Sequence, residues 1–197
     1  MTSLPSILVA LLNSLLATVS QTAIAFFGIY FKLQSFIYMP ANGLIQGMRP
    51  LISYNYGARH FDRVKKIIKV SIISTAVILC CGTIIFMGLP ELVLSWFNAT
   101  EQLLEIGIIG LRVISPCFIL STMGVVISGV FESLGKGRQS LTISLLRQFI
   151  ITLPLAYILL KVIGLNGIWL SFVIAEGIAS VIAIILIKKE LHNFKVD

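Results

Sequence analysis

The sequence predicts an all-α, polytopic membrane protein built as a bundle of six transmembrane helices, with residues 1–197 forming a single transmembrane lobe. Of its 197 residues, 57% are apolar and only 12% are charged, whereas a soluble domain carries roughly 25% charged residues. The apolar residues gather into long stretches, most of them near the ~20 residues that cross a bilayer as a helix. Strands are not expected, because the stretches lack period-two alternation and an open sheet leaves unpaired backbone groups in lipid.

Six spans are predicted, at about residues 4–19, 22–48, 70–89, 104–131, 141–162 and 167–187. The first is short, and only Ser20-Gln21-Thr22 separates it from the second. Prolines inside the later spans remove a backbone donor and favour kinks; they are Pro40, Pro116 and Pro154. The GxxxG spacing of Gly43 and Gly47 predicts close packing against another helix.

The basic residues predict the orientation of the bundle. One set of loops and the C-terminal tail together carry Arg59, Arg63, Lys65, Lys66, Lys69, Lys136, Arg138, Lys188, Lys189 and Lys195. The opposite loops carry only Lys161 together with Glu91 and Glu101. By the positive-inside rule both termini lie in the cytoplasm, and the protein is expected in the cell (plasma or inner) membrane with lipid around it. Because the basic residues are not interleaved with surface aromatics, nucleic acid is not an expected partner.

Polar side chains deep in the spans are the candidate transport residues, since a charge at a span centre costs roughly 2.5–3.5 kcal/mol. They are Lys32, Gln34, Tyr38, Arg147 and Glu176. Two alternatives stay open for Lys32 and Glu176: they pair with each other, or they line a water-filled cavity. A carboxylate there would suit coupling to a cation, with the ammonium setting its pKa. Arg147, like Arg112, either extends to the headgroup layer or serves the cavity. Glu132 is expected to be a solvated charge at a span end.

The sequence offers no enzymatic, cofactor or metal motif. The three cysteines lie inside apolar stretches and suit packing better than ligation. His60 and His192 stand alone in polar segments. Gly135-Lys136-Gly137 lacks the spacing of a phosphate-binding loop. We therefore expect neither an enzyme nor a resident cofactor or metal.

Three stretches are specific enough to indicate a family. Met39-Pro-Ala-Asn-Gly43 followed by Arg49–Arg63 resembles the motif that closes the eighth of twelve helices in multidrug and toxic compound extrusion (MATE) transporters. Phe131–Lys136 resembles the end of their tenth helix. Leu146-Arg147-Gln148, Leu153-Pro154-Leu155 and Gly164–Trp169 resemble parts of their eleventh and twelfth helices. The motif residues in this chain are Pro40, Gly43, Pro50, Tyr54, Asn55, Gly57, Ala58 and Arg63.

The resemblance implies one lobe, helices seven to twelve, of a transporter that exports organic, often cationic compounds in exchange for Na⁺ or H⁺. The N-terminal lobe is then absent, so a matching lobe or a second copy of the chain is expected as partner. Two departures from the family pattern limit which residue roles can be assigned to this chain. The first and fourth spans carry no core carboxylate, and Glu132 replaces the more usual Gln. The coupling residues therefore do not carry over. Two alternatives remain, a flippase for lipid-linked substrates and a non-transporting truncated membrane protein.

Overall fold

The computed structural model describes residues 4–194, and every regular element in that range is helical. The elements are α1 (Leu4–Ala17), α2 (Gln21–Gly57), α3 (Phe61–Gly88), α4 (Pro90–Ser95), α5 (Glu101–Ile114), α6 (Pro116–Ser133), α7 (Gly137–Leu145), a π-helical turn (Leu146–Ile150), α8 (Thr152–Ile163) and α9 (Leu165–Asn193). The predicted all-α class is confirmed. Lys195, which belongs to the predicted basic tail, lies outside the described residues.

Five helical segments of the described range are long and apolar enough to cross a membrane. They are α2, α3, α6, the segment Gly137–Ile163, and Leu165–His192 of α9. The first predicted span corresponds to α1, whose apolar part, Ser6–Ala17, is shorter. The helices extend beyond the predicted spans mainly at the basic end, because amphipathic turns there continue the helix after the apolar stretch has stopped.

The fourth predicted span is two helices that meet at Ser115, because Pro116 has no N–H to continue the ladder of α5. The Thr83 hydroxyl of α3 lies 3.2 Å from the Ser115 carbonyl and 3.0 Å from the Leu79 carbonyl. A polar side chain from a neighbouring helix therefore covers the backbone at this break, as backbone within a membrane requires.

Two apolar clusters hold the helices together. In the cluster away from the basic end, Phe26 packs edge-on against Trp169 at 5.0 Å between ring centroids. A Cβ added at Gly110 would lie 2.5 Å from the ring of Phe26, so α5 approaches α2 closely only because that residue is glycine. The second cluster lies at the basic end and joins α2, α3, α6 and α9.

Ion pairs tie the helices together at the basic end. Arg49 Nη2 lies 2.5 Å from Glu132 Oε2, and Lys136 Nζ lies 2.6 Å from both carboxylate oxygens of Glu190. Ser53 Oγ donates to the Ser133 carbonyl at 2.8 Å. The prediction that Glu132 is a solvated end charge is wrong, because Arg49 reaches it from the neighbouring helix.

The prediction for the GxxxG pair is also wrong. A Cβ added at Gly43 or Gly47 would meet nothing within 4 Å, so neither glycine packs against another helix in the described part of the lobe. Gly129 of α6, which was also expected to allow close packing, does so, since its added Cβ would lie 2.7 Å from Ile45. The spacing of the glycines did not distinguish those that pack against a neighbouring helix from those that face open space.

Candidate functional site

A cavity of about 660 Å³ opens on the face of the lobe formed by α1, α2, the π-helical turn and α9. Its lining is mixed, with aromatic rings, amides, hydroxyls and two opposite charges. The lining residues are Leu8, Phe31, Gln34, Ser35, Tyr38, Met39, Asn42, Gly43, Gln46, Arg147, Gln148, Phe172 and Glu176. A concave apolar wall carrying a few polar groups is the usual form of a small-molecule site.

One face of α2 supplies most of this wall. Phe31, Gln34, Tyr38 and Gln46 recur at the three- and four-residue steps that align side chains along a helix. The helix continues through Pro40, which has no N–H and therefore leaves the Phe36 carbonyl without its usual partner. Next to it Gly43 adds no side chain, so the wall stays open at this point.

The π-helical turn places Arg147 and Gln148 on the cavity. Ile151 N bonds to the Leu146 carbonyl five residues back at 3.1 Å, and the Thr152 hydroxyl donates to the Arg147 carbonyl. Pro154 cannot donate to the Ile150 carbonyl, which favours a departure from the α-helical ladder just before it. The wider turn changes the direction of the side chains that follow, and such turns are frequent at functional sites.

Arg147 pairs with Glu176 across the wall. Arg147 Nη2 lies 2.8 Å from Glu176 Oε1, and the two side chains are only 14% and 12% exposed. The expected alternative of a Lys32–Glu176 pair is wrong, because the cation that pairs with Glu176 is Arg147, and Lys32 is exposed outside the cavity lining. Arg147 does not extend to the headgroup layer either. The second oxygen, Glu176 Oε2, is buried with no hydrogen-bond partner among the described residues, as is Gln148 Oε1.

Tyr38 joins the α2 wall to α6. Its hydroxyl lies 2.5 Å from Ser121 Oγ, and Ser121 Oγ in turn donates to the Phe118 carbonyl at 2.8 Å. The Tyr38 ring packs edge-on against Phe118 at 5.8 Å. Ser121, which orients this tyrosine, carried no sequence signal, because a serine in an apolar stretch is an ordinary residue.

Lys32 is the candidate that the structure separates from the others. Its side chain is exposed and does not line the cavity. It precedes Met39 by seven residues, or two helical turns, so it lies on the same side of α2 further along the helix. Gln34, Tyr38, Arg147 and Glu176 do meet at the cavity. The depth of these four residues within the predicted spans identified them as candidates. Asn42 and Gln46 were overlooked, although they lie on the same face of α2 as other lining residues.

Most of the motif residues form the end of α2 rather than a cavity wall. The exceptions are Gly43, which lines the cavity, Pro40, which lies inside α2, and Arg63, which lies on α3. Pro50, Tyr54 and Gly57 are exposed on the last turns of α2, and Ala58 caps the helix. Asn55 is buried, with its Nδ2 donating to the Leu51 carbonyl at 2.8 Å. Arg59 adopts the left-handed conformation, φ 58°. The His60 and Arg59 N–H groups return to the Asn55 and Tyr56 carbonyls, which is a Schellman ending.

Within residues 4–194, no three His, Cys, Asp or Glu side chains group as a metal site would need. The oxygen-rich wall around Glu176 is instead suited to hydrogen bonding, to stacking on Phe31 and Phe172, and to contact with a single positive charge.

The MatE family profile matches residues 2–158 of the chain. The chain belongs to the MatE family. Multidrug export protein MepA of Staphylococcus haemolyticus (strain JCSC1435) is 31% identical over 186 residues, covering 94% of this chain and 40% of that protein. MepA of Staphylococcus aureus (strain MSSA476) is 30% identical, covering 94% and 41%.

Solved MatE-like structures show the same fold. An outward-facing multidrug resistance MATE family transporter of the MOP superfamily superposes with a TM-score of 0.91 at 20% identity, covering 98% of this chain and 44% of that chain. A MOP superfamily transporter from Pyrococcus furiosus superposes with a TM-score of 0.90 at 21% identity, covering 96% and 43%. The present chain thus spans about two-fifths of the relatives it matches, and it is a multi-pass membrane protein of a transporter family.

Proposed function

We propose that this MatE chain forms the C-terminal lobe of an exporter for organic, often cationic compounds. The observation that best supports this proposal is the cavity of about 660 Å³ on one face of the bundle, which is lined by aromatic, amide and paired charged side chains. One lobe supplies one wall, and alternating access requires a second body that moves against it. A matching N-terminal lobe, or a second copy of the chain, would supply the opposite wall.

The lining residues suggest how an organic cation would be held. Phe31, Tyr38 and Phe172 offer ring faces to a flat or cationic compound. Gln34 offers an amide that both donates and accepts. Glu176 is the negative residue of the lining that a substrate cation could approach, and its pairing with Arg147 limits how strongly it attracts that cation. Export in exchange for Na⁺ or H⁺ is part of the proposal, with Glu176 as the candidate coupling residue. The basic end and both termini are proposed to face the cytoplasm.

A flippase for lipid-linked substrates is less well supported. Such a substrate carries phosphate and would require a wall with unpaired basic groups. Arg147 is the one basic residue among the described residues that line the cavity, and it is paired with Glu176. Lys32 and Arg112, which could have added positive charge, are exposed and do not line it.

Export of a fluorescent cationic dye tests the proposal. Cells would express the chain alone, the chain with a MatE N-terminal lobe, and neither. We expect export only when both lobes are present. Export by the chain alone would support the second-copy arrangement, and no export in any combination would contradict the transporter assignment.

The role of Glu176 is tested in whichever arrangement exports. Glu176→Gln keeps the size of the side chain and removes its charge, so coupled export should fall at least tenfold. Glu105→Gln makes the same change at an exposed position of α5 and should export normally. Unchanged export by Glu176→Gln would remove Glu176 from the coupling mechanism without affecting the two-lobe proposal.

A further inference from the structure

A second concave surface lies between α2 and α3 towards the basic end, on a side distinct from the transport cavity. It is a groove of about 520 Å³, lined mostly by Leu44, Gly47 and Leu51 from α2 and by Ile67 and Val70 from α3. The lining is mostly apolar, with Ser71 and Ser74 as its uncharged polar residues and Lys66 at the basic end. The groove therefore has an apolar body and a positively charged mouth.

Gly47 gives the groove its depth. A Cβ added there would meet nothing within 4 Å, so the glycine is not required for helix packing in the described lobe. Leu51 and Val70 on the two sides are each 54% exposed. Two exposed apolar rims with a glycine between them make a channel that a flexible hydrocarbon chain could fill.

The charged mouth continues beyond Lys66. Arg63, Lys66, Val70 and Ser74 follow one another on α3 at spacings of three or four residues, so one helical face leads from Arg63 into the groove. Arg63 also borders a polar pocket of about 550 Å³ together with Arg59 and Lys65. Asp62 lies 3.6 Å from Lys65, and no carboxylate in residues 4–194 forms an ion pair with Arg63 or Lys66.

We propose that this groove is a binding site for an acidic phospholipid. One acyl chain lies in the apolar groove along Gly47, and the phosphate binds Arg63 and Lys66. The guanidinium and ammonium groups donate hydrogen bonds to phosphate oxygens, and both attract the negative charge of the headgroup. Basic clusters beside a transmembrane helix recruit anionic lipids in this way. The positive-inside rule places the site in the cytoplasmic leaflet. Lipid binding at this site does not depend on the proposed export function.

The two halves of the site are tested by two kinds of variant, with phosphatidylglycerol as the probe. The purified full chain would be exchanged into detergent, titrated with phosphatidylglycerol and examined by native mass spectrometry. Arg63→Gln with Lys66→Gln removes the headgroup contacts, and Gly47→Leu fills the groove. Lys188→Gln with Lys189→Gln removes the same charge from exposed positions of α9, and Gly28→Leu makes the same exchange at an open position of α2 outside the groove.

We expect the charge variant to bind phosphatidylglycerol about thirtyfold more weakly, since it loses two basic contacts. Gly47→Leu should lose binding at least tenfold, and both controls should bind normally. Lys66→Arg, which keeps the charge, should bind like the parent chain. A monodisperse peak on size exclusion and an unchanged unfolding temperature would verify that each variant is folded.

Three results would overturn the proposal. Equal binding of phosphatidylcholine would show that the headgroup charge is not recognised. Equal competition by free glycerol phosphate would place the ligand in the polar pocket without an acyl chain. Normal phosphatidylglycerol binding by Gly47→Leu would show that no acyl chain occupies the groove.

Discussion

Arg147 and Glu176 are two charges held away from bulk water in the wall of a membrane cavity. Each charge alone would be costly there, and the 2.8 Å contact offsets part of that cost. The pair is therefore sensitive to loss of one partner and much less sensitive to loss of both. The unpartnered Glu176 Oε2 leaves the carboxylate with capacity for one further contact.

A double-mutant cycle measures this coupling. Arg147→Met and Glu176→Leu each leave the other charge buried and unpaired, so each should lower the free energy of unfolding by about 3–5 kcal/mol. The double variant should recover at least half of the summed loss. Denaturation in detergent micelles followed by circular dichroism gives all three values. Additive losses would show that the two side chains do not interact.

Tyr38 permits a smaller test at the same wall. Tyr38→Phe keeps the ring on Phe118 and removes the hydroxyl that meets Ser121. The expected loss of unfolding free energy is about 1 kcal/mol, the usual net value of one hydrogen bond. Tyr157→Phe changes an exposed ring and should have no effect. Equal unfolding curves for the two variants would mean that the Tyr38–Ser121 bond adds nothing.

The depth of Glu176, Gln34 and Tyr38 within the predicted spans was enough to make them candidate cavity residues, because a polar group is costly in lipid, and all three line the cavity. It could not predict which cation meets Glu176. Lys32 was the one cation expected as a possible partner, whereas the observed pairing with Arg147 depends on the π-helical turn, whose extra residue per turn leaves no pattern in the sequence. Pro154 favoured a local disturbance there without specifying its form.

At the scale of the elements, two kinds of helix ending illustrate what the sequence can and cannot predict. α2 and α6 both end in a Schellman motif, at Arg59 and at Gly135 respectively, and both residues have positive φ. α5 and α6 are instead separated by Pro116. The long spans were predictable from apolar runs. The break at Ser115 was foreseen only as a kink, because whether a proline bends or divides a helix depends on neighbours such as Thr83.

The ending of α6 yields a stability prediction. Gly135 has φ 72°, where a Cβ costs about 1–2 kcal/mol. Gly135→Ala should therefore lower the unfolding free energy by about that amount. Gly137→Ala, in open space at the first residue of α7 and without a positive φ, should leave it unchanged or slightly raised. The unfolding free energies of both variants are measured by denaturation in detergent micelles, followed by circular dichroism. A smaller loss at Gly135 than at Gly137 would contradict this account of the helix end.

The whole lobe presents faces with different proposed surroundings. Met39, 72% exposed, lies on the cavity wall of α2, while Val77, 59% exposed, lies on α3 away from the cavity. Both are large and apolar, so hydropathy alone does not distinguish them. In the two-lobe proposal, Met39 faces an aqueous cavity between the lobes and Val77 faces lipid. The two positions should therefore differ in their access to water, and the reactivity of a cysteine placed at each position measures that access.

Cysteine labelling tests that difference. In a background with Cys80, Cys81 and Cys117 replaced by alanine, Met39→Cys should react with a charged, water-soluble maleimide, because only a hydrated thiol forms the reactive thiolate readily. Val77→Cys should react at least tenfold more slowly, and an exported cationic dye should protect Met39→Cys alone. Both experiments use membranes containing the second lobe. Equal reaction rates at the two positions, or dye protection of neither, would show that the α2 wall does not face an aqueous substrate path.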